Sequence, residues 1–181
     1  MKFTRRAASL TVGLGVAAML STTGALAATG ALAAPSAPRA AQCSPSHLTV
    51  WTGQPGDAAA GHAFFQVEIS NVGHSACSLF GYPGVSLLNG SGHQVGLPAG
   101  HSGAKSTVVI APGGTAHFVL TVTDPSIVCA HPVKGNVLKV FAPGAFNADR
   151  TEFSASVCPH NVTLHVDAVH AGAGIPGFSA S

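Results

Sequence analysis

Apolar and polar residues alternate with a period of two in three separate stretches, and this limits the fold more than any other feature of the chain. In 62–70, Ala63, Phe65, Val67 and Ile69 fall on one face, with His62, Gln66 and Glu68 opposite. In 115–123, Ala116, Phe118, Leu120 and Val122 alternate with Thr115, His117, Thr121 and Thr123. In 162–167, Val162, Leu164 and Val166 alternate with Thr163, His165 and Asp167. A period of two is the mark of a strand with one buried face. Shorter strands are expected at 47–51, 84–88, 93–97, 105–110, 137–141 and 152–157, and beyond the amino terminus no window of ten residues carries a helical stripe. Asn89-Gly90 is a hairpin signal, and Pro83-Gly84, Pro112-Gly113 and Pro143-Gly144 have the composition of type II turns. Short strands divided by turns imply an all-β fold, an immunoglobulin-like antiparallel β-sandwich of seven to nine strands.

The amino terminus reads as an address. Lys2, Arg5 and Arg6 precede an apolar stretch from Ala7 to Leu20, and small residues follow, with Ala-x-Ala patterns at Ala25–Ala27 and Ala31–Ala33. This is the build of a secretory signal peptide, too short in its apolar core to span a bilayer. Cleavage is expected after Ala33, with Ala27 as the alternative. The twin arginines raise twin-arginine export, but Ala7, Ala8 and Ser9 stand where a bulky apolar residue is wanted, which favours general secretion. The expected organisation is a signal peptide over 1–33, a linker over 34–42, a β-sandwich domain over 43–167 and a flexible Gly/Ala-rich tail over 168–181.

Composition enters through charge. The whole chain carries a formal +2, but three cations belong to the signal. Five remain (Arg39, Lys105, Lys134, Lys139 and Arg150) against six acids, a net charge of −1 with histidine neutral. The basic character is the export signal's, so a nucleic-acid partner and an anionic membrane surface lose their support. The expected location is extracellular, without a membrane anchor.

Four cysteines, Cys43, Cys77, Cys129 and Cys158, are an even number in a chain expected outside the cytosol, so disulfides are the default. Three pairings are possible. Cys43 precedes the 47–51 strand and Cys77 follows the 62–70 strand; if the two pair antiparallel, their outer ends meet. The same logic brings Cys129, before 137–141, to Cys158, after 152–157. The pairs Cys43–Cys77 and Cys129–Cys158 are therefore expected. No CxxC exists to suggest a zinc ribbon or a thioredoxin motif.

The run Asn71-Val-Gly-His-Ser-Ala-Cys77-Ser-Leu-Phe-Gly81-Tyr-Pro-Gly-Val85-Ser-Leu-Leu88, with Ala111-Pro-Gly-Gly-Thr-Ala116 after it, resembles a secreted actinobacterial family, the domain of unknown function 4232. The resemblance covers roughly Cys43 to Val166. It implies an exported, disulfide-bonded all-β domain, and it supplies no catalytic residue to carry over. Members of that family are often lipoproteins; here Ala40-Ala41-Gln42 before Cys43 is no lipobox. Within the run, Gly81, Pro83 and Gly84 are expected to turn the chain, Val85 and Leu87 to enter the core, and the Tyr82 hydroxyl to reach a backbone group.

Ten histidines outnumber the five cations left after the signal. Imidazole suits zinc and copper, and His62, His117 and His165 are the candidates, each on the polar side of an expected strand. Against a metal stand the absence of HxH and HExxH and of any methionine outside residues 1–33. No metal and no cofactor is expected. Gly100-His101-Ser102-Gly103-Ala104 imitates a nucleophile elbow, but its last residue is Ala and no helix follows. No phosphate-cradling loop and no paired-carboxylate site is present. The expected function is therefore non-catalytic: a secreted binding or interaction module whose partner is a protein or a cell-wall polymer. A His-dependent metal-binding protein and a secreted protease inhibitor using the loop 124–134 are the alternatives. Trp51, on the polar face of the first strand, is the candidate binding anchor.

Overall fold

The computed structural model describes residues 39–174. The expected signal segment, residues 34–38 of the linker and residues 175–181 lie outside the described residues. The described chain has no α-helix, only two 3₁₀ turns at Pro45–His47 and Pro125–Ile127. Its strands are β1 (Leu48–Ala59), β2 (His62–Asn71), β3 (Cys77–Phe80), β4 (Gly84–Leu88), β5 (Gln94–Val95), β6 (Gly100–His101), β7 (Thr107–Ile110), β8 (Thr115–Thr123), β9 (Val133–Phe141), β10 (Ala148–Val157), β11 (Leu164–Val166) and β12 (His170–Ala171).

The larger sheet runs β1-β2-β8-β11-β6, with β12 also paired to β8; the second runs β10-β9-β4-β5, and β3 with β7 forms a ribbon. All pairings are antiparallel except β11 with β6. The strands beyond the seven to nine expected are β3, β6 and β12, pieces of two to four residues too short to show an alternation. The first strand also runs on past Trp51 to Ala59, with register shifts on both sides of Pro55. A strand edge without a neighbour can hold a residue that has no N–H to donate.

β8 shows the sequence pattern most cleanly, every second residue buried along its whole length. Ala116, Phe118 and Leu120 have no exposed surface, and they share one core cluster with Val67 and Ile69 of the adjacent β2 and with Leu87 and Leu138 of the second sheet. Burying a side chain the size of Phe118 contributes about 2–3 kcal/mol. Phe65 of β2 and Phe153 of β10 pack edge to face, ring centroids 4.7 Å apart. One expected core residue is misplaced: Val162 is 42% exposed, because β11 begins only at Leu164.

The family-like run of glycines has a local cause at Asn71. This buried side chain donates to the carbonyls of Ser75 (2.9 Å) and Ile110 (3.1 Å) and accepts from the Gly73 N–H (2.9 Å). A side chain at Gly73 would begin 3.0 Å from His47 Cβ, tighter than an ordinary contact, so the turn after β2 favours glycine. The Pro-Gly pairs divide. Gly113 and Gly144 take φ of +70° and +74° with the closing bonds Gly114 N–H to Ala111 and Ala145 N–H to Ala142, whereas Gly84 simply opens β4. The left-handed residue at that corner is Gly81, at φ +110°.

Where the two sheets meet edge to edge, β1 and β10 share no backbone ladder. The Asp149 carboxylate joins them instead: Oδ2 accepts the Val50 N–H and Oδ1 the Arg150 N–H, both at 2.8 Å. Thr52 Oγ1 adds a bond to the Glu152 carbonyl (3.0 Å).

Both termini of the domain differ from expectation. Ala40, Ala41 and Gln42, read as linker, run beside β3, with Ser78 N–H donating to Ala41 O (2.7 Å) and Ser78 Oγ to Ala40 O (3.0 Å). Residues 168–174, read as tail, are part of the fold. Ala168 and Val169 are buried, and β12 pairs His170 with His117 and Ala171 with Ala116. Backbone pairing needs no side-chain pattern, so a Gly/Ala-rich stretch conceals it.

Candidate functional site

The structure joins Cys43 to Cys77 (Cα–Cα 4.7 Å) and Cys129 to Cys158 (5.9 Å). The second bridge organises one pole of the sandwich. Four loops gather there: 59–62 between β1 and β2, 96–99 before β6, 124–132 between β8 and β9, and 158–163 between β10 and β11. Asp124 N–H donates to Gly61 O (2.8 Å), Cys158 N–H to Thr163 Oγ1 (3.3 Å) and Thr123 N–H to Thr163 O (2.8 Å). At Gly96 an added Cβ would lie 2.7 Å from Val157 and 3.0 Å from the Cys158 carbonyl, so the third loop presses against the same bridge.

This pole is apolar. Leu97 (39%), Ile127 (67%), Val128 (40%) and Val162 (42%) are four of the eight large hydrophobic residues exposed among those described, and all lie in these loops. The loops hold no Lys or Arg, and their single carboxylate is Asp124. That carboxylate is turned into its own loop, accepting from Ser126 Oγ (2.7 Å) and the Ser126 N–H (2.9 Å). The hydroxyl first, then the backbone bond, hold its carboxyl below the usual carboxylate value of 3.8. Beside the loops opens a cleft of about 530 Å³ with Phe65 and Val122 among its lining, bounded by Ala59, Pro125 and Ala155.

His62, His117 and His165 share the outward face of the larger sheet but do not converge. His62 is paired with Thr123 and His165 with Thr121, whereas His117 stands four residues further along β8, about 13 Å at strand rise. His62 Nδ1 bonds Thr123 Oγ1 (3.1 Å). Among the described residues no group of three or more His, Cys, Asp or Glu is placed to hold a metal ion. The closest imidazole neighbours are His117 and His170, ring centroids 5.4 Å apart, with His170 Nε2 bonded to Asp167 Oδ2 (2.9 Å). The proximity of His170 was hidden in the sequence because β12 has no pattern of its own.

Trp51 lies on that outward face too, half-buried, directly across from Glu68. The nucleophile-elbow imitation is a strand edge: Gly100–His101 pairs with β11, and Ser102 N–H donates to Val166 O (3.0 Å). Tyr82 packs its ring on His101, centroids 4.8 Å apart, and its hydroxyl donates to the Gly103 carbonyl.

A disulfide-bonded all-β sandwich with one apolar loop pole is the class of protein this architecture defines. The chain belongs to the family described as Domain of unknown function (DUF4232), whose model matches residues 43–170. No curated protein and no solved structure matches it.

Proposed function

We propose that this domain is an exported, non-catalytic binding module that holds a partner protein at its Cys129–Cys158 pole. The observation that carries the reading is the gathering of Leu97, Ile127, Val128 and Val162, exposed, in loops without a cation. Apolar surface concentrated at one place and tied down by a disulfide costs little ordering on association, which is the requirement of a protein interface. A cell-wall polymer, hydrophilic and charged, has less to gain from such a surface than a protein has. Export is supported by the signal-like residues 1–33, by the two disulfides and by the lack, among the described residues, of any helix long and apolar enough to cross a membrane.

The inhibitor alternative meets a geometric obstacle. Protease inhibitors of the substrate-like kind offer an extended segment that pairs with the enzyme's cleft. Here Pro125–Ile127 is coiled into a 3₁₀ turn, with Val128 and Cys129 N–H both donating to the Pro125 carbonyl.

The test is capture from the producing organism's envelope and culture fluid with immobilised residues 34–181. The expected result is a protein retained by the native chain and by Phe146→Glu, a fully exposed residue elsewhere, and lost with Ile127→Glu. Equal retention by the Ile127 variant refutes the assignment of this pole, and retention of polymer alone refutes a protein partner.

A further inference from the structure

Four residues on the outward face of the larger sheet stand in one transverse row. Trp51 of β1 is the register partner of Glu68 on β2, Glu68 of His117 on β8, and His117 of His170 on β12. After His170 the chain turns onto this row. Gly172 N–H donates to Thr115 O (3.0 Å), and His117 Nδ1 lies 2.8 Å from the Gly172 carbonyl, which can only accept, so this nitrogen carries the proton. Two residues on, the Gly174 N–H donates to Glu68 Oε1 at 2.8 Å.

Glu68 has no exposed surface, although it points away from the core. Burying a carboxylate costs several kcal/mol unless it is hydrogen-bonded in place. The crossing segment supplies such a bond. The fit is tight against a ring: a Cβ on Gly174 would lie 2.7 Å from His117 Cδ2 and would push Gln66 Oε1 aside. Gly172 has φ +81°, where other residues are strained.

We propose that the pair Glu68–His117, with Trp51 beside Glu68 in register, is a peptide-binding track for an extended glycine-containing backbone, and that its occupant is the chain's own segment Ala171–Gly174. The track reads main chain rather than side chains. His117 donates its Nδ1–H to one carbonyl, Glu68 accepts an N–H two residues later, and the second glycine is favoured because a Cβ there would press on the His117 ring. This site is separate from the loop pole and stands whether or not that pole binds a protein.

Trp51 is the chain's single tryptophan, so its fluorescence reports on the row alone. In residues 34–181, Gly174→Val displaces this segment. Acrylamide quenching of Trp51 is expected to rise about twofold while far-UV dichroism stays native. A synthetic peptide of residues 170–181 added to that variant returns the quenching to the native level in a saturable way; the same peptide carrying Gly174→Val does not. Unchanged quenching in the variant, or failure of the native peptide to reverse it, overturns the proposal. Hydrogen exchange on the unaltered chain removes any dependence on the variant's folding. The Gly174 amide should exchange about 100-fold more slowly than in the free peptide. Exchange at the free-peptide rate overturns the proposal, and protection that falls on dilution refutes an occupant from the same chain in favour of a second copy.

Discussion

Replacing Asp149 by Ala should unzip the seam between the two sheets. Its carboxylate is the acceptor for one N–H on each edge strand, Val50 on β1 and Arg150 on β10. Val50 is 6% exposed, so water reaches its N–H poorly once the carboxylate is gone. A hydrogen bond to a charged group contributes about 1.5–3 kcal/mol net, and a buried donor left without a partner costs about the same range. The Arg150 N–H is exposed and recovers most of its loss from water, about 0.5 kcal/mol at most remaining. The sum is about 2 kcal/mol, or about 6–8 °C in Tm for a domain of this size. Urea unfolding of the disulfide-intact chain, with the m-value unchanged, measures it. Asp149→Asn keeps an acceptor without the charge and should lose about half as much. Thr52→Val removes only the exposed bond to Glu152 and should cost under about 0.5 kcal/mol. If Asp149→Ala costs no more than Thr52→Val, the seam is held by packing such as Phe65 on Phe153, and the argument from the carboxylate fails.

The chain-entropy model gives Cys43–Cys77 and Cys129–Cys158, with sequence separations of 34 and 29, nearly equal worth, about 3.8 and 3.6 kcal/mol. Paired Cys→Ala variants compared by urea unfolding should therefore match within about 0.5 kcal/mol, and a large inequality would show that one bridge acts mainly on the native state. The Asp124 carboxyl titrates below its usual value, so its loop capping is complete above the unfolded-state pKa and is lost as pH falls through the folded one. The Ser126 amide resonance should shift with a midpoint below 3.8, and a midpoint at or above 3.8 contradicts the capping geometry.

How far the fold can be read from the sequence depends on whether side chains or backbone do the work. At β8 every second side chain faces the core, and the written alternation of Ala116, Phe118, Leu120 and Val122 is the observed burial. Val85 and Leu87 enter the core as their place after Gly81 and Pro83 implies. The turn after β2 is legible in the Asn71-x-Gly73 pair, because a short amide and a missing Cβ are what that turn uses. β12 and residues 172–174 were not legible, since their contacts are main-chain bonds made by glycine and alanine. Glu68 reads as solvent-facing for the same reason: an amide bonded to it arrives from 106 residues away, and no local pattern announces it. The loop pole is legible only in part. Ile127 and Val128 stand beside Cys129 in the sequence, but Leu97 and Val162 join them through the sheet order.

The two disulfides follow one another along the chain without nesting or crossing, since Cys77 comes before Cys129. A chain that enters an oxidising compartment amino end first presents Cys43 and Cys77 together while the second pair is still to come. Joining each cysteine to the next one that appears yields the native bonds. On the proposed export route, assembly of this domain asks for an oxidant and not for an isomerase, and a host that lacks disulfide shuffling should still deliver it correctly bridged.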